Sequence, residues 1–319
     1  MKNIAKNILL GVATGDALGV PFEFSTREAM LKNPATDMIG FKVHNQLPGT
    51  WSDDSSMTFC LAEALLKDYN LSRVAQNFIN WKNSAYWSAR GTVFDIGMTT
   101  SRAISRLEKI ISKNNAEDFS LLRYEAEEYD NGNGSLMRIL PLIFETYGKE
   151  LQSQFEIIWA NSSLTHRHIR AAMACMIYLK MAENLIKTQN KIQAYQQTRN
   201  EINQLWDLMN FAAAERENFK RVIQTDITSY QEKTIMSGGY VIESLEASLW
   251  SLLITDSYES AVLKSINLGH DTDTTGAITG GLAGIYYGWQ NIPQYWIVNL
   301  ARLEDILDLG DKLDEKYSF

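Results

Sequence analysis

Apolar residues recur three or four positions apart along most of the chain, and this spacing is typical of amphipathic helices. The pattern is clearest over residues 56–69, 168–186 and 239–254. Only five prolines interrupt the 319 residues. Strand-like alternation is rare, and the best candidate is the short segment "FKVHN" at 41–45. The sequence therefore predicts a mostly α-helical protein.

The most polar long stretch covers residues 187–235 and is rich in Gln, Asn, Lys and Glu. Ile202, Leu205 and Met209 are spaced for a helix within it, so we expect peripheral helices that cover the core. No linker rich in Pro, Gly or Ser and no internal repeat divides the chain. We therefore predict a single compact domain over residues 1–319.

Glycines recur at intervals of four in two distant segments. They are Gly11, Gly15 and Gly19 in the first and Gly276, Gly280, Gly284 and Gly288 in the second. In a helix this spacing places them on one face. Each interior glycine costs about 1 kcal/mol relative to alanine, so a row of them needs compensation from close backbone packing. We predict that the two helices pack against each other and bring their acidic ends together.

Composition and charge exclude several classes of protein. The net charge is −8, and no Lys/Arg cluster offers the footprint that a nucleic-acid partner requires. Cys60 and Cys175 both lie in apolar helical patterns, as core cysteines in a reducing compartment do. The apolar run at 8–13 is too short for a secretory signal, and no segment approaches a membrane span. We expect a soluble, cytoplasmic protein.

Two acidic clusters each precede a helical pattern. Asp53 and Asp54 open one, and Asp271 and Asp273 open the glycine-rich one. Helix capping explains one carboxylate in each cluster but not two neighbours, because one side chain occupies the N-cap. If the clusters meet, four carboxylates need compensating cations, and oxygen ligands suit Mg²⁺, Mn²⁺ or Ca²⁺. A two-metal site and a pair of helix caps are both open interpretations at this point.

Two further segments carry weaker signals. Glu23 follows a turn rich in Gly and Pro, where a carboxylate is either a general base or a solvated loop residue. Residues 131–134 read "NGNG", a loop that either presents backbone N–H groups to an anion or forms an ordinary turn. The four histidines are scattered and show no zinc-ligand spacing, and no P-loop, G-x-S-x-G or Rossmann fingerprint is present.

Seven motifs together carry a resemblance to a known family. In order they are "GVATGDALGVPFEF", "GTWSDDSSM", "FDIGMTTSRAI", "NGNGSLMRILPL", "SSLTHRHIRA", "GGYVIESLEASLW" and "NLGHDTDTTGAITGGLAGIYYG". Their order resembles the ADP-ribosylglycohydrolase family, which includes dinitrogenase-reductase-activating glycohydrolases and ADP-ribosylarginine hydrolases. The resemblance runs from about residue 4 to residue 310 and is weakest across 187–235.

The resemblance implies a compact all-α domain around a binuclear Mg²⁺ or Mn²⁺ centre. The implied activity is hydrolysis of the bond between ADP-ribose and a protein side chain, with ADP-ribose as product. The implied metal ligands are Ser52, Asp53, Asp54, Asp271, Asp273 and Thr274. Asp16 would support this metal site from behind.

The resemblance also implies catalytic and substrate-binding residues. Glu23 matches the family's catalytic glutamate, and Asp54 would substitute for it in moving a proton. Asp95 would hold a leaving guanidinium. The remaining implied substrate contacts are Gly97, Asn131, Gly132, Asn133, Gly134, His166, Gly239 and Tyr240. Met98 and His270 depart from the pattern of the family; His270 either lines the mouth of the cavity or lies on the surface.

The expected function is therefore metal-dependent removal of ADP-ribose from a protein, with arginine as the modified residue and a monomeric enzyme. Three alternatives stay open. The first is a non-catalytic antitoxin that binds ADP-ribose or a toxin. The second is a hydrolase of another linkage, such as ADP-ribosylserine or O-acetyl-ADP-ribose. The third is a two-metal phosphohydrolase that would release AMP from free ADP-ribose.

Overall fold

The computed structural model describes residues 3–113 and 118–317. Within these residues the chain folds into α-helices, numbered in chain order: α1 Ile4–Gly19, α2 Arg27–Lys32, α3 Asp53–Ala64, α4 Leu71–Ser84, α5 Met98–Ser112, α6 Asp118–Leu121, α7 Ile143–Thr146, α8 Leu151–Ser162, α9 Ile169–Thr188, α10 Lys191–Leu208, α11 Ala213–Asn218, α12 Lys220–Ile223, α13 Val241–Leu253, α14 Tyr258–Ile266, α15 Thr272–Tyr287, α16 Gln294–Asn299 and α17 Leu303–Lys316.

Short 3₁₀ helices connect several of these elements. They are Val20–Phe22, Lys42–His44, Leu122–Glu125, Asn133–Ser135, Leu140–Leu142, Ile227–Ser229, Glu232–Thr234 and Trp289–Asn291. The described ranges contain no β-strand, only isolated bridges between Phe41 and Gln46 and between Gly132 and Tyr240. The prediction of an all-α fold is confirmed.

Helices α1 and α15 form the centre of the fold and run antiparallel at backbone contact. A Cβ added to Gly15 would lie 2.6 Å from the carbonyl carbon of Gly276, and Gly11 lies in the same way against Gly280. A Cβ on Gly19 would lie 2.5 Å from the Cα of Asp273. The predicted glycine-face contact is confirmed, because any side chain at these positions would separate the helices.

Gly288 is the exception to the predicted glycine row. Its φ is 84°, and it terminates α15, with its N–H bonded to the carbonyl of Gly284. Gly288 does not meet α1, and its role is to allow the left-handed backbone that ends the helix. The prediction that all four glycines of this segment share the contact is therefore wrong at this position.

The central helix pair is surrounded by other helices and tied to them by tyrosine hydroxyls. Helices α3, α14 and α17 pack on α1, whereas α9, α13 and α14 pack on α15. The Tyr258 hydroxyl donates to the carbonyl of Gly11 at 2.7 Å, and the Tyr178 hydroxyl donates to that of Ile278 at 2.9 Å. Both tyrosines are fully buried, so each hydroxyl needs these partners.

The helices predicted from apolar spacing appear as α3, α9 and α13, and Cys60 and Cys175 are buried free thiols. The segment "FKVHN" is not a strand, because it forms a 3₁₀ helix after Phe41. Three of its residues have left-handed φ values, at Phe41, Lys42 and Asn45. Such a backbone cannot continue into an extended ladder.

The polar stretch 187–235 contains α10, α11 and α12. Ile202 and Leu205 of α10 are fully buried, and the helix packs against α9. In residues 3–113 and 118–317, no helix is both long enough and apolar enough to cross a membrane.

We predict that Gly15→Ala lowers the free energy of unfolding by roughly 3 kcal/mol or more, because the new Cβ meets main-chain atoms that cannot rotate away. Gly97→Ala is the matched control, since its added Cβ meets nothing closer than 3.8 Å. Urea denaturation of both variants measures the difference. Equal effects of the two substitutions would contradict the packing of α1 on α15.

Candidate active site

Several chain segments converge on one cavity of about 480 Å³. The segment after α1 contributes Glu23, the N-terminus of α3 contributes Asp53, and the N-terminus of α15 contributes Asp271 and Asp273. The antiparallel packing of α1 on α15 causes this convergence, because it brings the end of one helix beside the start of the other. The positive ends of α3 and α15 also favour negative charge here.

Helix capping does not account for the acidic residues. The N-cap of α3 is Ser52, whose Oγ accepts from the backbone N–H of Asp54 at 3.3 Å. Asp271 precedes α15, but its side chain makes no capping hydrogen bond. Neither Asp53 nor Asp54 occupies an N-cap, so both clusters hold carboxylates that serve another purpose.

Asp54 and Asp273 lie at the centre of the buried cluster. Asp54 Oδ2 accepts from Ser52 Oγ at 3.0 Å and from Thr274 Oγ1 at 3.4 Å. Asp54 Oδ1 is buried without a hydrogen-bond partner in the described ranges. A buried carboxylate oxygen without a partner is costly. This oxygen therefore identifies a position at which a cation would be stabilising.

The carboxylates fall into two overlapping groups that could hold metal. One oxygen from each of Asp16, Asp54 and Asp273 lies within 4.8 Å of the others, and so does one from each of Glu23, Asp271 and Asp273. Asp273 belongs to both groups. The donor set consists of carboxylate oxygens, which suits Mg²⁺ or Mn²⁺ better than a soft metal. The residues present therefore fit divalent cations.

Asp16 attaches α1 to the first turn of α3. Its Oδ2 accepts from the Ser55 N–H at 3.0 Å and from Ser55 Oγ at 2.6 Å, and its Oδ1 accepts from the Ser52 N–H at 2.9 Å. Burial raises the pKa of Asp16 to about 6, and these hydrogen bonds oppose the rise. The predicted position of Asp16 behind the cluster agrees with this geometry.

Burial and mutual repulsion work against ionisation of the cluster. Burial raises the pKa of Asp53, Asp54 and Asp273 well above the usual range of a carboxyl, and neighbouring carboxylates add to the effect. Burial, followed by Asp95, raises the pKa of Glu23 to about 9. Of the described residues that line the cavity, none is a lysine or arginine. The lining therefore supplies no lysine or arginine to offset the negative charge, and a bound cation would favour the ionised carboxylates.

A third group consists of Asp95 and Glu23, which line the cavity, and His44 beside them, with one ligand atom of each within 4.8 Å of the others. His44 Nε2 contacts Glu23 Oε2 directly. Asp95 is half-buried, and burial raises its pKa while His44 opposes the rise. Sequence reasoning missed His44, because nothing in the spacing of residues 23 and 44 indicates that a strained loop brings them together.

The loop 131–134 is fixed against the start of α13. Asn133 N–H donates to the carbonyl of Gly239 at 3.1 Å, and Val241 N–H donates to that of Asn131 at 3.2 Å. Asn133 Nδ2 donates to Asp271 Oδ2 at 2.7 Å. This last bond connects the loop directly to the acidic cluster.

His166 packs against this loop, where a Cβ on Gly134 would lie 2.5 Å from its Cε1. The ring is buried, and burial lowers the pKa of His166 to about 3, so the imidazole is neutral. A neutral ring can donate one hydrogen bond and accept another.

The structure brings most of the predicted site residues to the cavity wall: Glu23, Asp53, Asp95, Gly97, Asn133, Gly134, His166, Gly239, Asp271, Asp273 and Thr274. It places five others behind or beside the wall: Ser52, Asp54, Asn131, Gly132 and Tyr240. Met98 lines the mouth and is 77% exposed. His270 lies on the surface, and its main chain pairs with Phe24 and Ser25.

Comparison with known proteins supplies independent evidence. A family model described as ADP-ribosylglycohydrolase matches residues 2–318. The chain is 33% identical over 317 residues to ADP-ribosylarginine hydrolase Tri1 of Serratia proteamaculans (strain 568), covering 97% of this chain and 78% of the relative. It is 28% identical over 300 residues to ADP-ribosyl-[dinitrogen reductase] glycohydrolase of Rhodospirillum rubrum, covering 93% of this chain and 90% of the relative.

A solved structure, described as an ADP-ribosylglycohydrolase-related protein complex, matches the fold with a TM-score of 0.73 and 26% sequence identity. The match covers 98% of this chain and 97% of that one. The family match extends over nearly the full length, and the motifs that carry the resemblance meet at one acidic cavity. The chain therefore belongs to the ADP-ribosylglycohydrolase family.

Proposed function

We propose that this protein is a metal-dependent hydrolase that removes ADP-ribose from a modified protein side chain, with arginine as the favoured residue. The observation that carries the proposal is the convergence of buried carboxylates from α3 and α15 with Glu23 and Asp95 in one cavity. The names of the relatives support the chemical class. The single domain over 1–319, the monomeric state and the cytoplasmic location stay predictions.

Asp53, Asp54, Asp271 and Asp273 would hold two divalent cations, with hydroxyls of Ser52 and Thr274 beside them. The unpartnered Oδ1 of Asp54 and the raised carboxyl pKa values support this assignment. When bound, such cations orient sugar hydroxyls and lower the pKa of a coordinated water. Mg²⁺ and Mn²⁺ both suit this donor set.

Glu23 would act as the general base that accepts a proton from the attacking water. Its carboxylate lines the cavity and lies within 4.8 Å of Asp271 and Asp273 oxygens, next to the proposed cations. A carboxylate must be ionised to accept a proton, and nearby positive charge would offset its raised pKa. Asp54, the other predicted candidate, is 1% exposed and lies behind the wall, which favours Glu23.

Asp95 would hold the guanidinium of a modified arginine beside Glu23 on the cavity wall. A carboxylate and a guanidinium form paired, charge-assisted hydrogen bonds. The cavity lining contains no lysine or arginine among the described residues, so no such side chain there would repel an incoming guanidinium. Departure of the guanidine leaves the ADP-ribose in the cavity.

The part of the wall formed by Asn133, Gly134 and His166 would accommodate the diphosphate. Residues 131–134 form a glycine-rich turn of the kind that binds anions, and the Asn133 side chain faces the cavity while its N–H donates to Gly239. Asn133 and Gly134 line the cavity beside His166. The neutral His166 can donate a hydrogen bond without the cost of ionisation in a buried site.

The first experiment measures release of free ADP-ribose from an arginine-ADP-ribosylated protein in Mg²⁺ or Mn²⁺, with and without EDTA. We expect release that EDTA abolishes. Asp271→Asn should lose metal binding and at least about 100-fold in kcat together, since the carboxylate is a proposed ligand. Asp256→Asn, whose side chain is fully exposed, is the matched control and should behave as the unmodified protein.

Other outcomes of this experiment favour the alternatives. Formation of AMP would indicate a phosphohydrolase, and ADP-ribose binding without release would indicate a non-catalytic binder. Near-normal turnover by Asp271→Asn would contradict the metal assignment.

Asp95→Asn tests the linkage. We predict a roughly 10- to 100-fold lower kcat/KM for an arginine-linked substrate, because a hydrogen bond between charged partners contributes about 1.5–3 kcal/mol. A serine-linked substrate has no guanidinium, so its hydrolysis, if any, should change by less than about threefold. Parallel kinetics on both substrates measure the difference. An equal loss on both would contradict the guanidinium assignment.

A further inference from the structure

His44 has no role in the chemistry described above, yet it is the basic side chain that contacts the acidic cluster. Its Nε2 meets Glu23 Oε2, and Asp95 lies on the same side within 4.8 Å. In the described ranges, Glu23 has no other hydrogen-bond partner. The second carboxylate oxygen of Glu23 is therefore available to the cavity.

Two aromatic rings pack against the imidazole. The ring centroid of Phe24 lies 6.0 Å away and that of Phe94 lies 5.3 Å away, each tilted by 55°. The His44 side chain is 14% exposed. A ring packed in this way has little rotational freedom, so its Nε2 is aimed at Glu23.

The loop that carries His44 is strained and held by several contacts. Phe41, Lys42 and Asn45 have φ values of 67°, 49° and 50°, and such left-handed conformations are unfavourable in non-glycine residues. Lys42 Nζ sits 3.6 Å from the centroid of the Phe22 ring, and Gln46 Nε2 donates to the carbonyl of His44 at 3.2 Å. Strain maintained in this way is typical of functional sites.

We propose that His44 is a positioning residue that holds Glu23 through an Nε2–H donated to Oε2 and leaves Oε1 to meet the attacking water. The inference rests on the role proposed for Glu23 and assigns a function to the strained loop. Without that donor, no side chain in the described ranges holds the Glu23 carboxylate by a hydrogen bond.

Three variants separate positioning from packing. His44→Gln keeps an N–H donor near Nε2 but loses the aromatic ring, whereas His44→Phe keeps the ring and loses the donor. Positioning predicts that His44→Phe lowers kcat by roughly 10- to 100-fold with KM changed less than about threefold. His44→Gln should recover most of kcat, and His44→Ala should resemble His44→Phe. Higher kcat in His44→Phe than in His44→Gln would overturn the proposal.

A double-mutant cycle tests whether His44 acts through Glu23. In a Glu23→Ala background, His44→Phe should change the residual rate by less than about twofold, because the group it positions is gone. Multiplicative losses would show that His44 acts by a different route.

A spectroscopic test does not depend on activity. The chain has four histidines, so the imidazole N–H signals can be assigned by single substitutions in ¹⁵N–¹H spectra. We expect a hydrogen-bonded Nε2–H signal from His44 that Glu23→Ala removes or shifts upfield. A His44 signal unchanged by Glu23→Ala would overturn the proposal. A protein with the expected signal but no hydrolase activity would instead contradict the proposed function alone.

Discussion

The site depends on the contact between the glycine faces of α1 and α15. At this distance the two backbones touch, so the end of α1 and the start of α15 lie side by side. This arrangement determines where four acidic residues lie, since each is within a few residues of the contact: Asp16, Glu23, Asp271 and Asp273. The hydroxyls of Tyr258 and Tyr178 bind main-chain carbonyls of the same pair and thereby stabilise it.

The same contact creates an electrostatic problem. It buries several carboxylates together, and burial disfavours their charged forms. Helix N-termini and serine hydroxyls offset part of this cost, as at Asp16. Divalent cations would offset the rest, so binding of metal and stability of the fold should be linked.

The helices could be predicted because apolar residues recur every three or four positions in the sequence. The two rows of glycines indicated which faces of α1 and α15 meet. The candidate metal ligands could also be predicted, because they directly precede helices that the periodicity reveals. Loop geometry was not predictable in this way. Phe41, Lys42 and Asn45 have left-handed φ values that their residue types do not signal. The sequence therefore offers residues 41–45 only as the best strand candidate and does not indicate that His44 reaches Glu23. Gly288 caps the C-terminus of α15. It lies four residues after Gly284, so its position in the sequence does not distinguish it from the glycines that contact α1.

The most direct test of the central claim is a crystal structure with Mn²⁺, analysed by anomalous scattering. We predict two Mn²⁺ ions at about 2 Å from carboxylate oxygens of Asp53, Asp54, Asp271 and Asp273. Absence of anomalous density at this cluster at saturating Mn²⁺, or density held by other residues, would contradict the claim that the helix contact builds a metal site.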